Sequence, residues 1–215
     1  MPTILDIVNL SHPLELISQP VDGRILEVLS GADAAFTGLQ IHALLGTGSA
    51  SGVQLGLNRL RRQGVVTAQP AGRAILYRLN ADHLATDYVR GLAHLRHELL
   101  RRLRSEFESW DPPPLAAYLF GSTARRDSTA DSDVDICLVR PKEIDDPDRP
   151  AWRNRVDALP QTVTAWTGND TRLVEFGEDE VRFGGGHDAL LASIRDEGIL
   201  LVGDESVLRR GQADK

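Results

Sequence analysis

The sequence predicts an α+β chain: a helical part ending in a hairpin, a long linker helix, and a C-terminal α/β part with a mixed sheet. Three observations predict it. Apolar residues recur at helical spacing up to residue 63, and two short β-rich runs follow. A seam of Leu84, Tyr88, Leu92, Leu95, Leu99 and Leu103 then repeats at four- and three-residue steps. Beyond Pro112-Pro113-Pro114 the pattern changes to apolar strands alternating with helices. Three prolines stop a helix, since each lacks an N–H and restricts the residue before it. The boundary is therefore placed at Asp111–Pro114, and the parts are read as 1–80, 81–110 and 111–215.

Taken in order, Leu14–Leu29 reads as helix, with a break offered at Gln19-Pro20. Thr37-Gly38-Leu39-Gln40 has capping-box spacing, and Ile41, Leu44 and Leu45 form the apolar stripe behind it. A third helix is predicted from about Ser51 to Gln63 and ends at Gly64. Val65–Thr67 and Ala74–Tyr77 read as strands joined by a Gln69–Arg73 turn, and Asp82–Trp110 as one helix. Later strands are predicted at 115–120, 134–139, 171–176 and 198–202. Helices are predicted at 149–167, where Pro160 is a potential break, and at 188–196. The acidic loop Glu143–Asp148 reads as a solvated segment.

Composition narrows the function classes. Of 215 residues, 41% are hydrophobic and 26% charged, which is an ordinary globular balance. No apolar run reaches the ~20 residues needed to span a bilayer, so no membrane partner is expected. The stretch Met1–Gln19 lacks the basic start of a secretory signal. Cys137 is the single cysteine, so no internal disulfide can form and a cytoplasmic location is the default. The net charge of −7 argues against a protein coated in nucleic acid. That charge lies in the second half, which would need cations to bind a triphosphate.

The densest chemical signal is Phe120-Gly121-Ser122-Thr123-Ala124-Arg125, followed by Ser132-Asp133-Val134-Asp135 and an apolar run. Glycine after a strand lets the chain turn sharply and a phosphate approach. Ser122 stands where a helix would begin, so its hydroxyl and the exposed N–H groups there suit a phosphate. Asp133 and Asp135, two apart on a strand, present both carboxylates on one face. Such a pair repels itself unless a cation lies between, and hard oxygen ligands beside phosphate suit Mg²⁺. Two such ions can activate an attacking oxygen and stabilise a leaving pyrophosphate. Arg125 is read as a phosphate contact, with pairing to Asp127 as the alternative. Asp127 and Asp131 read as turn formers, Cys137 as a small core residue, and His94 and His97 as a solvated helix face.

This pattern resembles the DNA-polymerase-β-like nucleotidyltransferase superfamily, in particular its minimal members. The resemblance is dense over about twenty residues and compatible over roughly 111–202. It implies an NTP as substrate or ligand, held at Gly121, Ser122 and Arg125, and catalytic metal ligation by Asp133, Asp135 and a third carboxylate from a later strand. Glu175 is the residue read into that third place. The sequence departs from the family twice: aspartate is more usual there, and Arg126 stands where many minimal members have glycine.

Residues 14–80 resemble a winged helix-turn-helix domain through Thr37–Leu45, Ser51–Gly64 and the wing Val65–Leu79. The resemblance implies double-stranded DNA as a partner. The third helix would place Gln54, Asn58 and Arg59 near base edges and Arg61 and Arg62 near phosphates, with Arg73 at the wing tip. Regulators of this type pair, and residues 82–110 would supply the contact of a homodimer; the same seam would equally serve packing within the chain. Two readings of function follow. In one, the chain transfers a nucleoside monophosphate from Mg-NTP to a protein, tRNA or small-molecule acceptor. In the other, it regulates transcription and its transferase module only senses nucleotide, in the manner of a toxin–antitoxin or stress element.

Overall fold

The computed structural model describes residues 8–144, 149–183 and 186–209. Residues 145–148 of the expected acidic loop lie outside that set, as do the first seven residues of the N-terminal stretch. The chain forms two compact units. One runs from His12 to Arg96, and the other combines the residues up to Ser11 with those from His97 onward.

The first unit opens with a 3-10 turn at Pro13–Leu16 and helix α1 (Pro20–Ser30). Pro20 starts α1 because a first-turn residue needs no N–H partner, so the break offered at Gln19-Pro20 becomes a helix start. Strand β1 (Phe36–Thr37) runs into α2 (Gly38–Leu45) through the capping box. The Gln40 N–H donates to Thr37 Oγ1 at 3.2 Å, and the Thr37 N–H donates to Gln40 Oε1 at 2.8 Å. Helix α3 (Ala50–Arg62) is capped by Ser49, whose hydroxyl accepts from the Gly52 N–H at 3.1 Å.

Strands β2 (Val66–Ala71) and β3 (Ala74–Leu79) form a hairpin closed by Gly72 and Arg73, in a sheet ordered β1-β3-β2. These strands are longer than predicted because Pro70, read as a turn residue, is tolerated on the edge strand β2. Leu14, Ile25, Ile41 and Leu57 are fully buried in the core between helices and sheet. Each such side chain contributes about 1.5–3 kcal/mol relative to exposure.

The single helix expected over 82–110 is two helices, α4 (Thr86–Ala93) and α5 (Leu95–Glu108). The chain leaves helical geometry at His94, whose Nδ1 lies 2.6 Å from the Arg90 carbonyl. Gly91 weakens the preceding turn. The leucine seam divides accordingly. Leu92 packs on the first core, Leu99 and Leu103 are buried in a core of the second unit, and Leu84 and Tyr88 are exposed.

The second unit is built on a four-stranded mixed sheet ordered β6-β5-β4-β7. Its strands are β4 (Ala116–Phe120), β5 (Val134–Arg140), β6 (Thr171–Gly177) and β7 (Ile199–Gly203). β4 is antiparallel to β5 and β7, and β5 is parallel to β6. The one-turn helix α6 (Gly121–Arg125) follows β4, and α7 (Pro150–Thr167) is the crossover between the parallel strands. Helix α7 carries through Pro160 without ending, contrary to the potential break read there.

Helices α8 (Glu178–Phe183), α9 (Asp188–Glu197) and α10 (Ser206–Arg209) complete the unit. One sheet face, with Ile136, Leu138 and Leu119, packs on residues of α5 and α7. The other, with Tyr118, Cys137, Val139 and Phe176, packs on Val181, Ile194 and Leu208. Alternation along β5 thus assigns even-numbered residues to the first face and odd-numbered ones to the second. Among the described residues, no helix is long and apolar enough to cross a membrane.

Candidate functional site

The antiparallel register pairs Phe120 with Asp135, so the chain leaves β4 beside that carboxylate. Gly121 turns there with φ +70°, and a Cβ at this position would collide with Asp135 Oδ2. Only glycine combines that backbone with that approach. Helix α6 is tied to the next strand by the Thr123 hydroxyl, which donates to the Asp133 carbonyl at 3.4 Å. Gly121 and Ser122 therefore stand next to Asp133 and Asp135, as the motif spacing predicts, and both carboxylates belong to the Cys137 face of the sheet.

The loop into Asp133 is pinned by a residue that sequence reasoning missed. Asn169, 2% exposed, donates from Nδ2 to the carbonyls of Ala130 and Ser132 at 2.9 and 3.0 Å. Its Oδ1 accepts from the Val8 N–H at 3.3 Å. A buried amide must satisfy its donors, and here it does so by holding the segment that delivers the first aspartate. In the sequence only its place in the turn Gly168-Asn169-Asp170 marked it.

Electrostatics at the pair are uneven. Burial pushes the Asp135 carboxyl above its ordinary range, the charge of Asp133 adds to this, and Arg172 and Arg125 oppose it. Asp133 is ion-paired with Arg172, Nη2 to Oδ2 at 2.7 Å. Arg125 is engaged by two acids: Nε donates to Asp127 at 3.1 Å and Nη1 to Glu197 at 3.0 Å. The pairing with Asp127 is the alternative read from the sequence, and Glu197 was not foreseen. Cys137, two residues beyond Asp135, is buried in the core and its thiol is pushed up to about 12.

Glu175 is not brought to the pair. It lies in register with Leu138, on the opposite sheet face from Asp135. There its Oε1 accepts from Arg140 Nη1 and Trp152 Nε1, both at 2.8 Å, and its Oε2 lies 3.5 Å from Arg153 Nη1. The correction has a simple cause: the third acid was chosen by residue type, whereas the register decides which β6 residue faces Asp135, and that residue is Arg172.

The two carboxylates offer hard oxygen donors, which suit a divalent cation of the Mg²⁺ type. Among the described residues, no group of three His, Cys, Asp or Glu side chains converges. A cleft of about 720 Å³ opens at Asp133 and Arg172, between Gln161 and Thr164 of α7 and Thr171 of β6.

In the first unit, the residues read as DNA contacts divide. Arg59 is turned onto Asp22 of α1 through two hydrogen bonds, Nε–Oδ2 at 3.0 Å and Nη2–Oδ1 at 2.6 Å. The pair is possible because α1 and α3 approach closely at Gly56, where a Cβ would lie 2.7 Å from Asp22 Oδ1. Gln54 donates to the Tyr77 hydroxyl at 3.0 Å and to Asn58 Oδ1 at 3.3 Å. Asn58, Arg61, Arg62 and Arg73 are exposed. Arg62 also donates to the Asn58 carbonyl at 3.3 Å.

Residues 100–182 match the family model of the nucleotidyltransferase domain. No curated protein matches the chain. Among solved structures, the chain is similar to a toxin–antitoxin crystallised with AMP-PNP, at 22% identity and a TM-score of 0.37. The match covers 54% of this chain and 82% of that one. It is also similar to a mutant of the toxin–antitoxin MntA–HpeT, at 20% identity, a TM-score of 0.36 and the same coverage.

Proposed function

We propose that the second unit binds a metal-bound NTP at Gly121, Ser122, Asp133 and Asp135 and transfers its nucleoside monophosphate to an acceptor hydroxyl. The observation that carries this reading is the close approach of Gly121 to Asp135, which puts the Gly121-Ser122 turn directly beside the carboxylate pair. The nucleotidyltransferase match over residues 100–182 supports it. Asp133 and Asp135 hold one Mg²⁺, which supplies positive charge to the phosphates. Gly121 sets the turn that brings Ser122 beside the carboxylates, Ser122 hydrogen-bonds the phosphate, and Asn169 fixes the approach of Asp133. The cleft beside Asp133 is the route for an acceptor from a protein or RNA. In the transfer, the acceptor hydroxyl gives its proton to solvent, its oxygen bonds to the α-phosphorus, the bond from the α-phosphorus to the α–β bridging oxygen breaks, and pyrophosphate leaves.

The first unit is read as a winged helix that binds duplex DNA. Support comes from the capped α2–α3 pair, the hairpin and the exposed Arg61, Arg62 and Arg73. Arg59 drops out of the DNA-facing set, because it is tied to Asp22.

A second reading is a regulator whose transferase module senses nucleotide without transfer. The Arg172–Asp133 ion pair favours it, since a base stands where a further acid would strengthen metal binding. One experiment separates the two. The chain is incubated with α-labelled ATP, CTP, GTP or UTP, Mg²⁺ and cell lysate, beside an Asp133→Ala/Asp135→Ala variant. Label transfer that disappears in the variant supports the transferase. Nucleotide binding that changes DNA affinity without transfer supports the sensor, and absence of nucleotide binding removes both.

A further inference from the structure

Strand β6 presents one ionisable residue to the face that carries the two aspartates. In a parallel pair, residues in register share a sheet face. Arg172 is in register with Asp135, Val174 with Cys137, and Phe176 with Val139. The remaining ionisable residue of β6, Glu175, belongs to the other face and is held there by Arg140 and Trp152. The guanidinium reaches Asp133 at 2.7 Å, although the Arg172 side chain is 74% exposed and that of Asp133 only 23%. Arg172 also lines the cleft that opens at Asp133. The chain thus brings its own positive charge to the place where a carboxylate pair would attract an ion.

We propose that Arg172 is the resident cation of this site, holding Asp133 against free divalent metal and passing to the phosphates when a nucleotide brings the ion in. The proposal rests on reading Asp133 and Asp135 as the metal pair of the nucleotide site. Three physical points carry it. A cation between the two carboxylates competes with any charge already held there, and Arg172 takes up one oxygen of Asp133 and offsets part of the pair's negative charge. An ion pair with one largely exposed partner contributes little stability, so it opens readily. A guanidinium matches two phosphate oxygens as well as it matches a carboxylate, so a triphosphate offers Arg172 an equivalent partner. Metal and nucleotide then enter together rather than in sequence.

The test uses the full chain as wild type, Arg172→Gln and Arg172→Lys, with two probes. Mn²⁺ alone is titrated by electron paramagnetic resonance, and inorganic triphosphate alone is titrated by calorimetry in EDTA. Arg172→Gln binds Mn²⁺ about tenfold more tightly than wild type, while Arg172→Lys, which keeps the charge, stays within about threefold. The same Arg172→Gln change weakens inorganic triphosphate by about tenfold. A merely structural role would not move the two affinities in opposite directions.

Equal Mn²⁺ affinity in wild type and Arg172→Gln overturns the role of Arg172 and leaves the metal pair standing. Mn²⁺ binding in Arg172→Gln that survives an added Asp133→Asn places the ion elsewhere and overturns both. Triphosphate affinity unchanged in Arg172→Gln overturns the transfer of the guanidinium to phosphate.

Discussion

A Cβ on Gly121 would fall on the carboxylate of Asp135, and the Gly121 backbone sits at φ +70°. Substitution there therefore meets two obstacles at once. Gly121→Ala costs roughly 1–2 kcal/mol from the left-handed backbone alone, and displacing Asp135 adds to this. Urea unfolding measures the stability loss, and nucleotide titration of the folded variant measures the site. Nucleotide affinity retained at the wild-type level would remove Gly121 from the phosphate site.

Asp135 carries a charge that the folded state disfavours. Burial, then the charge of Asp133, raise its carboxyl above the ordinary range. A group raised on folding lends stability below its unfolded value, and that stability is lost as pH rises through the folded value. At pH 7 in EDTA, Asp135→Asn is therefore expected to melt above wild type. The gap closes as pH falls below the ordinary carboxylate range, about 4. Thermal melts across pH check this, and a lower melting temperature for the variant at pH 7 contradicts it.

Glu175 separates structure from catalysis. It is half-buried with Arg140, their side chains 13% and 16% exposed, and it also accepts from Trp152. Removing one partner of such a pair strands the other, so Glu175→Ala loses about 3 kcal/mol or more. Because the side chain lies on the face opposite Asp135, the variant that remains folded keeps its Mn²⁺ and nucleotide affinity. A selective loss of Mn²⁺ binding in Glu175→Gln, with an unchanged melt, would instead make it a ligand.

The arginines of α3 should behave differently from one another. Arg61 and Arg62 are exposed, whereas Arg59 is clamped to Asp22. On duplex DNA, Arg61→Ala/Arg62→Ala lowers the slope of log affinity against log salt by about 2, one for each phosphate left without its arginine. Arg59→Ala lowers the melting temperature and leaves that slope unchanged. Salt-dependent binding titrations and melts of wild type and both variants check the two halves.

The sequence by itself determined what local chemistry decides. Thr37 and Gln40 formed their capping box, and the strands beside Gly121 and Asp135 appeared close to where their apolar runs ended. The nearness of Gly121 to Asp135 was also legible, because a strand, a tight turn and a returning strand constrain each other over few residues. Tertiary structure decided whatever depends on register or on distant partners. Whether Arg172 or Glu175 faces Asp135 is a matter of one residue in the pairing of β5 with β6, and a single step exchanges the sheet faces. The turn of Arg59 onto Asp22 depended on how closely α1 approaches α3 at Gly56, and the pinning of the Ala130–Ser132 segment depended on an amide 37 residues beyond Ser132. Such pairings join positions far apart in the chain, and side-chain type and spacing carry no record of them.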